Sequence, residues 1–432
     1  MAWSRASGGG AACLWILLGC GSAQAEPTPS VTPYGQLFYR EDDPRSAWRP
    51  FRPTLPDAGD TPAALEHRID RMEARTGPFS PELLEPLRHL GAARFAARDF
   101  RGAGAAWSRA LHLVRVNEGL QSPAQRWLLE HLGEASLADG RIAQADEQHA
   151  HLYRLVRNQA SATDPVMQQT AARYADWMRG AYLAGVDRER YPRLVALLAM
   201  YDELLDAATR ERGPTDRSLL PYLRGRLDAV YLLTTYPGES RAQTAGTAET
   251  SPGEGKLDLI RFLELKRDAF REGERTAERI QAILAADPQA SDAERADALL
   301  AMADWYQWHQ RTAQSLPLYT QCWTLAGESG AAWRSAAFGA PLELPPDIVF
   351  QPGRLPLREH ADTALRLRFG VSRQGRVQDA RWLPDDEDAS ETETAAAGQA
   401  LALLAGLRFR PRLVAGQPVD TPDLERNYHT RH

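Results

Sequence analysis

Cysteine is scarce. The chain carries three in 432 residues, and two of them, Cys13 and Cys20, fall within the first 25. The remaining thiol, Cys322, has no partner, so no internal disulfide framework supports the fold, and its default role is that of a small buried hydrophobe. Long apolar runs are missing too. Beyond the N-terminus nothing approaches the roughly 18 apolar residues that a spanning helix requires, so no membrane span is expected. Positive charge is in deficit. Lys and Arg total 51 against 57 Asp and Glu, a formal net charge of -6, which argues against a nucleic-acid partner. The signatures of common catalytic sites are also absent: there is no Gly-x-Ser-x-Gly, no His-Glu-x-x-His, no Walker A sequence and no Cys pair. A non-enzymatic protein with no cofactor is the expectation.

What is present begins with a targeting segment. Arg5 supplies a positive start, "AACLWILLGC" an apolar core of about ten residues, and Ala23-x-Ala25 the small-residue pattern that signal peptidase needs. Residues 1–25 are therefore read as a signal peptide, and the mature chain as periplasmic. "LLGC" resembles a bacterial lipobox, so lipidation at Cys20, giving an outer-membrane lipoprotein facing the periplasm, stands beside cleavage after Ala25. In that case alone would the protein associate with a membrane. Residues 26–62, rich in Pro, Asp and Arg, read as a disordered tether. Residues 237–256, "PGESRAQTAGTAETSPGEGK", hold almost no large apolar side chains and read as a mobile insert.

Between these stretches the apolar residues recur at helical spacing. Leu84, Leu87, Leu90 and Gly91 stripe one helix. Asp99 and Gly102 flank a turn, and Ala103, Trp107 and Ala110 stripe a second helix. Gly91 and Ala103 are small enough to let two antiparallel helices approach closely. The pattern returns 42 residues on, where Gly119, Leu129, Leu132, Gly133 and Ala145 replace Gly77, Leu87, Leu90, Gly91 and Ala103. "GPTDRSLLPYL" from Gly213 repeats "GPFSPELLEPL" from Gly77. Later, Leu299, Ala303 and Tyr306 stripe one helix, and Ser315, Tyr319 and Cys322 the next. These residues resemble tetratricopeptide repeats of a long type, over about residues 63–335, with a blurred stretch between about 160 and 290. The resemblance implies a mostly α chain, with five or six helix pairs stacked as a right-handed solenoid around a peptide-binding groove.

At Phe338 to Pro356 proline becomes dense and the periodicity changes. Leu365, Leu367, Phe369 and Val371 alternate with Arg366, Arg368 and Gly370, the period of a strand with one apolar face. "RQGR" reads as a hairpin turn at Gly375, "VQDARWLP" as the returning strand, and "AAAGQALALLAG" as a helix with Leu401 and Leu404 inward. "LRFRPRLVAGQPVDT" reads as a third strand, with Phe409, Leu413 and Val414 toward the core, Pro411 at an edge or bulge, and Gly416 and Pro418 in a final turn. Val377-Gln378-Asp379-Ala380, Phe409-Arg410-Pro411 and Gly416-Gln417-Pro418-Val419, in this order of elements, resemble the C-terminal domain of TonB. The resemblance implies that residues 341–432 form a small α+β domain with a strand edge that pairs with an extended segment of a partner. The transmembrane helix and proline-rich spacer of TonB proper have no counterpart here, so energy transduction does not carry over.

Several residue groups invite a chemical reading. His149 and His151 in "QHAH" sit two apart on a helix and face different ways, which suits a solvated or groove-lining role better than metal ligation. Trp305, Trp308 and His309 in "WYQWHQ" suit packing between repeats, with a ligand-facing aromatic patch as the alternative. "PDDEDAS" lacks calcium-loop spacing and reads as a solvated loop. Arg366, Arg368, Arg408, Arg410 and Arg412 read as a basic face on the small sheet, either solvated or touching an acidic partner. Together these features point to a protein-protein interaction adaptor of the bacterial cell envelope, with a protein or peptide partner. The alternatives are a self-associating scaffold that forms a homodimer through the terminal domain, or an unrecognised enzyme.

Overall fold

Helix boundaries follow from local chemistry. In the computed structural model, Thr61 caps the helix α1 (Pro62–Thr76), and Pro62 occupies a first-turn position where no N–H is needed. Asp99 accepts from the Gly102 N–H at 2.9 Å and starts α3 (Phe100–Glu118), which follows α2 (Leu84–Ala96). The pair α4 (Gln125–Ala138) and α5 (Ile142–Arg157) comes next, then α6 (Pro165–Ala184), α7 (Tyr191–Arg212), α8 (Leu220–Thr234), α9 (Glu254–Ala286), α10 (Asp292–Trp308), α11 (Thr312–Ala326) and the short α12 (Ala331–Phe338). A capping box of Ser291 and Glu294 opens α10. Gly77 and Gly119 end α1 and α3 with φ of +87° and +96°, a region that side chains rarely adopt.

The structure describes residues 38–40, 61–184, 186–187, 191–235, 254–328, 330–345, 362–384 and 390–431. All of them belong to the unit spanning Val31–His432. The signal segment, most of the 237–256 insert and most of "PDDEDAS" lie outside the described residues. Glu254, at the end of the insert, already begins α9.

The protein is mostly helical, with a small sheet region toward the C-terminus. Each helix from α1 to α12 packs on the next in chain order, and α9 also touches α7. The described residues between 160 and 290 are mostly helix. Their spacing blurs because α6, α7 and α9 lengthen to 20, 22 and 33 residues.

Glycine sets the closest contacts. A Cβ at Gly91 would lie 2.1 Å from Trp107 Nε1, and that same indole donates to the Arg88 carbonyl at 3.2 Å. The lock recurs between α9 and α10. A Cβ at Gly273 would lie 2.1 Å from the Trp305 ring, and Trp305 Nε1 donates to the Phe270 carbonyl at 3.1 Å. In both places a Trp lies in the notch left by a glycine and bonds the carbonyl three residues earlier. Leu87, Leu90, Ala103, Ala110, Leu132, Gly133, Ala145, Ala303, Tyr319 and Cys322 are buried, whereas Tyr306 is half-buried and donates to Glu274 at 2.7 Å.

The sheet runs β1-β8-β3-β4, all antiparallel, with β1 (Phe38–Arg40), β3 (Asp362–Val371), β4 (Val377–Trp382) and β8 (Thr421–Arg431). Leu365, Leu367, Phe369 and Val371 are buried. They share one apolar cluster with Ala396, Ala397, Ala400 and Leu404 of α13 (Glu391–Gly406).

Two expectations need correction. Residues 26–62 contain a strand, β1, because the C-terminal strand offers it a free backbone edge at Tyr428–Thr430. And "LRFRPRLVAGQPVDT" is not the third strand of the sheet. That place belongs to β8. The stretch splits into β5 (Phe409–Arg410), paired with β2 (Leu342–Glu343), and a small hairpin of β6 (Leu413–Val414) and β7 (Gln417–Pro418). Phe409 and Leu413 are buried, but Val414 is 47% exposed.

Gly91→Ala places a methyl inside the Trp107 ring. Overpacking of this kind costs ~1–3 kcal/mol, so the urea midpoint of the variant should fall with the slope unchanged, and an unaltered midpoint would mean that the notch has slack.

Candidate functional site

Among the described residues polar side chains gather at several places, of which two bear on function: the joint between α10, α11 and the sheet, and a cleft on the helices near the N-terminal end of the array.

The joint is built from Asp304, which lies on α10 between buried Ala303 and Trp305. Its carboxylate accepts from Arg410 Nε at 3.0 Å and Nη2 at 2.6 Å, and from the Tyr319 hydroxyl at 2.9 Å. Arg410 also donates to the Ala337 carbonyl at 3.0 Å. Both side chains are almost fully buried, 1% exposed for Asp304 and 6% for Arg410. Burial alone would lower the Arg410 guanidinium, but the Asp304 charge and hydrogen bonds reverse this and raise it above its ordinary value. Arg410 is therefore an internal ion-pair partner and not part of a basic outer face.

Neighbouring contacts extend the joint. Gln307 donates to the carbonyls of Gln374 at 2.6 Å and Phe409 at 3.1 Å and accepts from Ser315 at 2.7 Å. Thr320 donates to the Gly416 carbonyl at 3.0 Å. Leu413 enters the helical cluster of Leu300, Tyr319, Cys322 and Phe338. A second buried pair, Glu343 with Arg426, receives the Tyr428 hydroxyl at 2.8 Å. The odd composition of "LRFRPRLVAGQ" thus belongs to a strap that presents Arg410, Leu413 and two carbonyls to α10 and α11.

The other sheet arginines disperse. Arg368 pairs with Glu425. Arg408 is half-buried and donates to the carbonyls of Gly406 and Leu407; burial, with Arg376 nearby, lowers its guanidinium. Arg366 and Arg412 are exposed. The five do not form one face.

The cleft, of about 350 Å³, is lined by residues of α2, α4, α5 and α6. Trp127 forms part of its wall. It stacks on His131 at 3.6 Å and carries the Arg88 guanidinium 4.2 Å from its ring centre. Arg173 donates to Glu130 at 2.6 Å, and Arg126 stands beside them. Burial pushes the Glu130 carboxyl up despite the adjacent arginines. A second cleft, of about 360 Å³, lies further along α6 and is bounded by α7 and α8. Its charged residues, Asp176, Arg179, Arg224 and Asp228, balance.

Of the histidines and tryptophans singled out by the sequence, His149, Trp305, Trp308 and His309 serve packing. His149 stacks on Trp177 at 4.4 Å, while His151 borders a shallow hollow beside Leu120. Trp305 and Trp308 are buried, and His309 lies between Trp305 and Phe270. Among the described residues no group of three His, Cys, Asp or Glu is placed to hold a metal ion, and no helix is long and apolar enough to cross a membrane. Asp304, Gln307 and Glu343 escaped the sequence reading. For Asp304 the available signal was a lone acid flanked by core residues in "LLAMADWY".

No protein-family model and no curated protein matches the chain. A solved structure described as BtubC (BKLC) from P. vanneervenii is similar over 64% of this chain and 93% of its own, at 11% identity and a TM-score of 0.35. A likeness at that level carries no argument.

Asp304→Ala leaves the Arg410 charge buried without its partner, a loss of about 3–5 kcal/mol. Adding Arg410→Leu should recover part of it in denaturation, and a double variant no better than the single would show that the pair is not the unit of stability. A second outcome concerns acid. Burial depresses His149 and His309 from 6.5 to about 4, so the folded state disfavours their protonation. Their stabilising share is full above pH 6.5 and is lost as pH falls toward 4, by no more than about 3 kcal/mol each. His149→Phe should flatten the fall in urea midpoint across that window, and an equally steep fall would assign the loss elsewhere.

Proposed function

We propose that the chain is a non-enzymatic protein-protein interaction adaptor of the bacterial cell envelope, acting in the periplasm. The helices are read as a tetratricopeptide-like solenoid, and the terminal α+β region as a TonB C-terminal-like domain. The observation that carries the proposal is the pair of clefts along α6, on helices whose neighbours pack in simple succession, next to a sheet held on α10 and α11 by buried polar contacts. Such an arrangement offers a partner an extended binding surface and a sheet edge at a set orientation. The Ala23-x-Ala25 pattern supports export, and the lipobox-like "LLGC" keeps a lipid anchor at Cys20 in play. The absence of catalytic signatures from the sequence supports a binding role over an enzymatic one.

A second reading, self-association through the sheet, is favoured by one observation. β1 covers β8 only at Tyr428–Thr430, and β8 from Thr421 to Asn427 has no partner on that side among the described residues. A second copy would extend the sheet there.

A photo-crosslinking residue at Gln169, exposed in the first cleft, should capture a defined envelope protein, and one at Asn427 should capture either a partner or a second copy. Light scattering separates the two readings, since a concentration-independent monomer removes self-association. Full-length protein that yields no crosslink from either position would overturn the adaptor proposal.

A further inference from the structure

The cleft between α2, α4 and α6 has an unbalanced chemistry. Arg88, Arg126 and Arg173 line it against one lining acid, Glu130, and Arg88 is paired with Glu85 beside the lining, which leaves a surplus of one positive charge. All three cations are arginine, in a chain whose only lysines are Lys256 and Lys266. Arginine keeps its charge when partly desolvated and presents a planar fork of donors.

The donors are incompletely used. Arg173 is committed to Glu130, and one nitrogen of Arg88 to Glu85 at 2.6 Å. Arg88 Nε is buried without an acceptor. Arg126 is half-buried and, among the described residues, its guanidinium makes no hydrogen bond; its resolved influence is the downward pull of its charge on Glu130. The Glu130 carboxylate is itself engaged by Arg173, so the cleft offers spare donors with little spare acceptor capacity. A group that only accepts, and carries negative charge, complements it. Apolar wall sits alongside, from Trp127, Leu152 and Val166. A free, fully hydrated phosphate would leave that wall unused. The neighbouring cleft on α6 provides a contrast, because its two acids and two arginines cancel and select no charge.

We propose that this cleft takes the side-chain carboxylate of an acidic peptide segment, with an adjoining aliphatic residue against Leu152 and Val166. The carboxylate lies between Arg126 and Arg88, and Glu130 holds Arg173 in place at the rim. The inference rests on the reading of the helical surface as a peptide-binding one and adds the chemical class of the ligand.

Calorimetric titration of the full-length protein tests it, with two acetylated and amidated peptides, one alternating Leu and Glu and the other alternating Leu and Gln. Neither has a free terminal carboxylate. The Glu peptide should bind roughly tenfold or more tightly than the Gln peptide, as expected for charge-assisted hydrogen bonds, and should weaken as salt rises. Arg126→Glu should abolish the preference with helicity and melting temperature unchanged. Arg126→Gln, which adds no repulsive charge, should reduce it and guards against misfolding. Equal binding of the two peptides would overturn the carboxylate assignment and leave the peptide-binding surface standing. Binding of neither, with a partner crosslinked from Gln169, would do the same. Displacement of the Glu peptide by inorganic phosphate at equal concentration would move the ligand class to phosphate and likewise overturn the proposal.

Discussion

The contact between Asp304 and Arg410 holds the rest in register. Two opposite charges sit at the boundary of the helices and the C-terminal sheet, both nearly removed from solvent. Taking such a pair out of water costs about as much as its attraction returns, so its worth lies less in net stability than in what it forbids. Any sliding or tilting of β5 against α10 would leave Arg410 or Asp304 buried and unpaired. Tyr319 and the Ala337 carbonyl occupy further hydrogen-bonding capacity on the two groups, and Gln307 and Thr320 repeat the device on backbone carbonyls. The sheet is thereby fixed on the last helix pair, and its orientation follows from directional bonds where an apolar contact alone would tolerate several.

How far these features were legible in the sequence depends on the range of the interaction. The stripe Leu87, Leu90, Gly91 and the stripe Ala103, Trp107, Ala110 announced buried helix faces because helical period is a local property. The Gly-Trp notch was half visible. Small residues marked a close approach, but the bond from the indole to the Arg88 carbonyl needs the folded distance. The alternation of Leu365, Leu367, Phe369 and Val371 announced one buried sheet face for the same local reason. Strand identity beyond that failed. "LRFRPRLV" has the alternation of a strand and became a strap, whereas "TPDLERNYHTR", with scattered charges and a proline, became a central strand. Long-range pairing chose between them, since β8 lies between β3 and β1 and alternation does not record its neighbours. Arg410 was misplaced for a related reason. In sequence it is one of several arginines, and only Asp304, 106 residues away, distinguishes it.

The joint and the cleft divide the labour. At the joint every charge is matched and hydrogen-bonded, which suits a contact that is made once, during folding. In the cleft on α2, α4 and α6 Arg88 and Arg173 are paired with Glu85 and Glu130, Arg126 has no ion pair among the described residues, and all three are only partly buried, which suits a contact that forms and dissolves. Arginine serves in both settings because its charge persists under partial burial and its donors fan out in a plane. One buried donor of the cleft, Arg88 Nε, has no acceptor, and leaving a buried donor so is costly.

The pairing of β1 with β8 has a mechanical side. Phe38 lies opposite Thr430 and Arg40 opposite Tyr428, so the leading end of one strand and the trailing end of the other leave the ladder at the same point. Tension applied between those two ends loads the backbone hydrogen bonds one after another instead of together, and each net bond is worth only about 0.5–1.5 kcal/mol. The short strand peels away like a zipper. The ladder between β3 and β8, which runs from Asp362 opposite Arg431 to Val371 opposite Thr421, is much longer and stays closed while it does so. The sheet therefore carries a detachable hem, released by a weak pull on the N-terminal side, and its release bares the backbone of Tyr428 to Thr430 without unfolding what lies beneath.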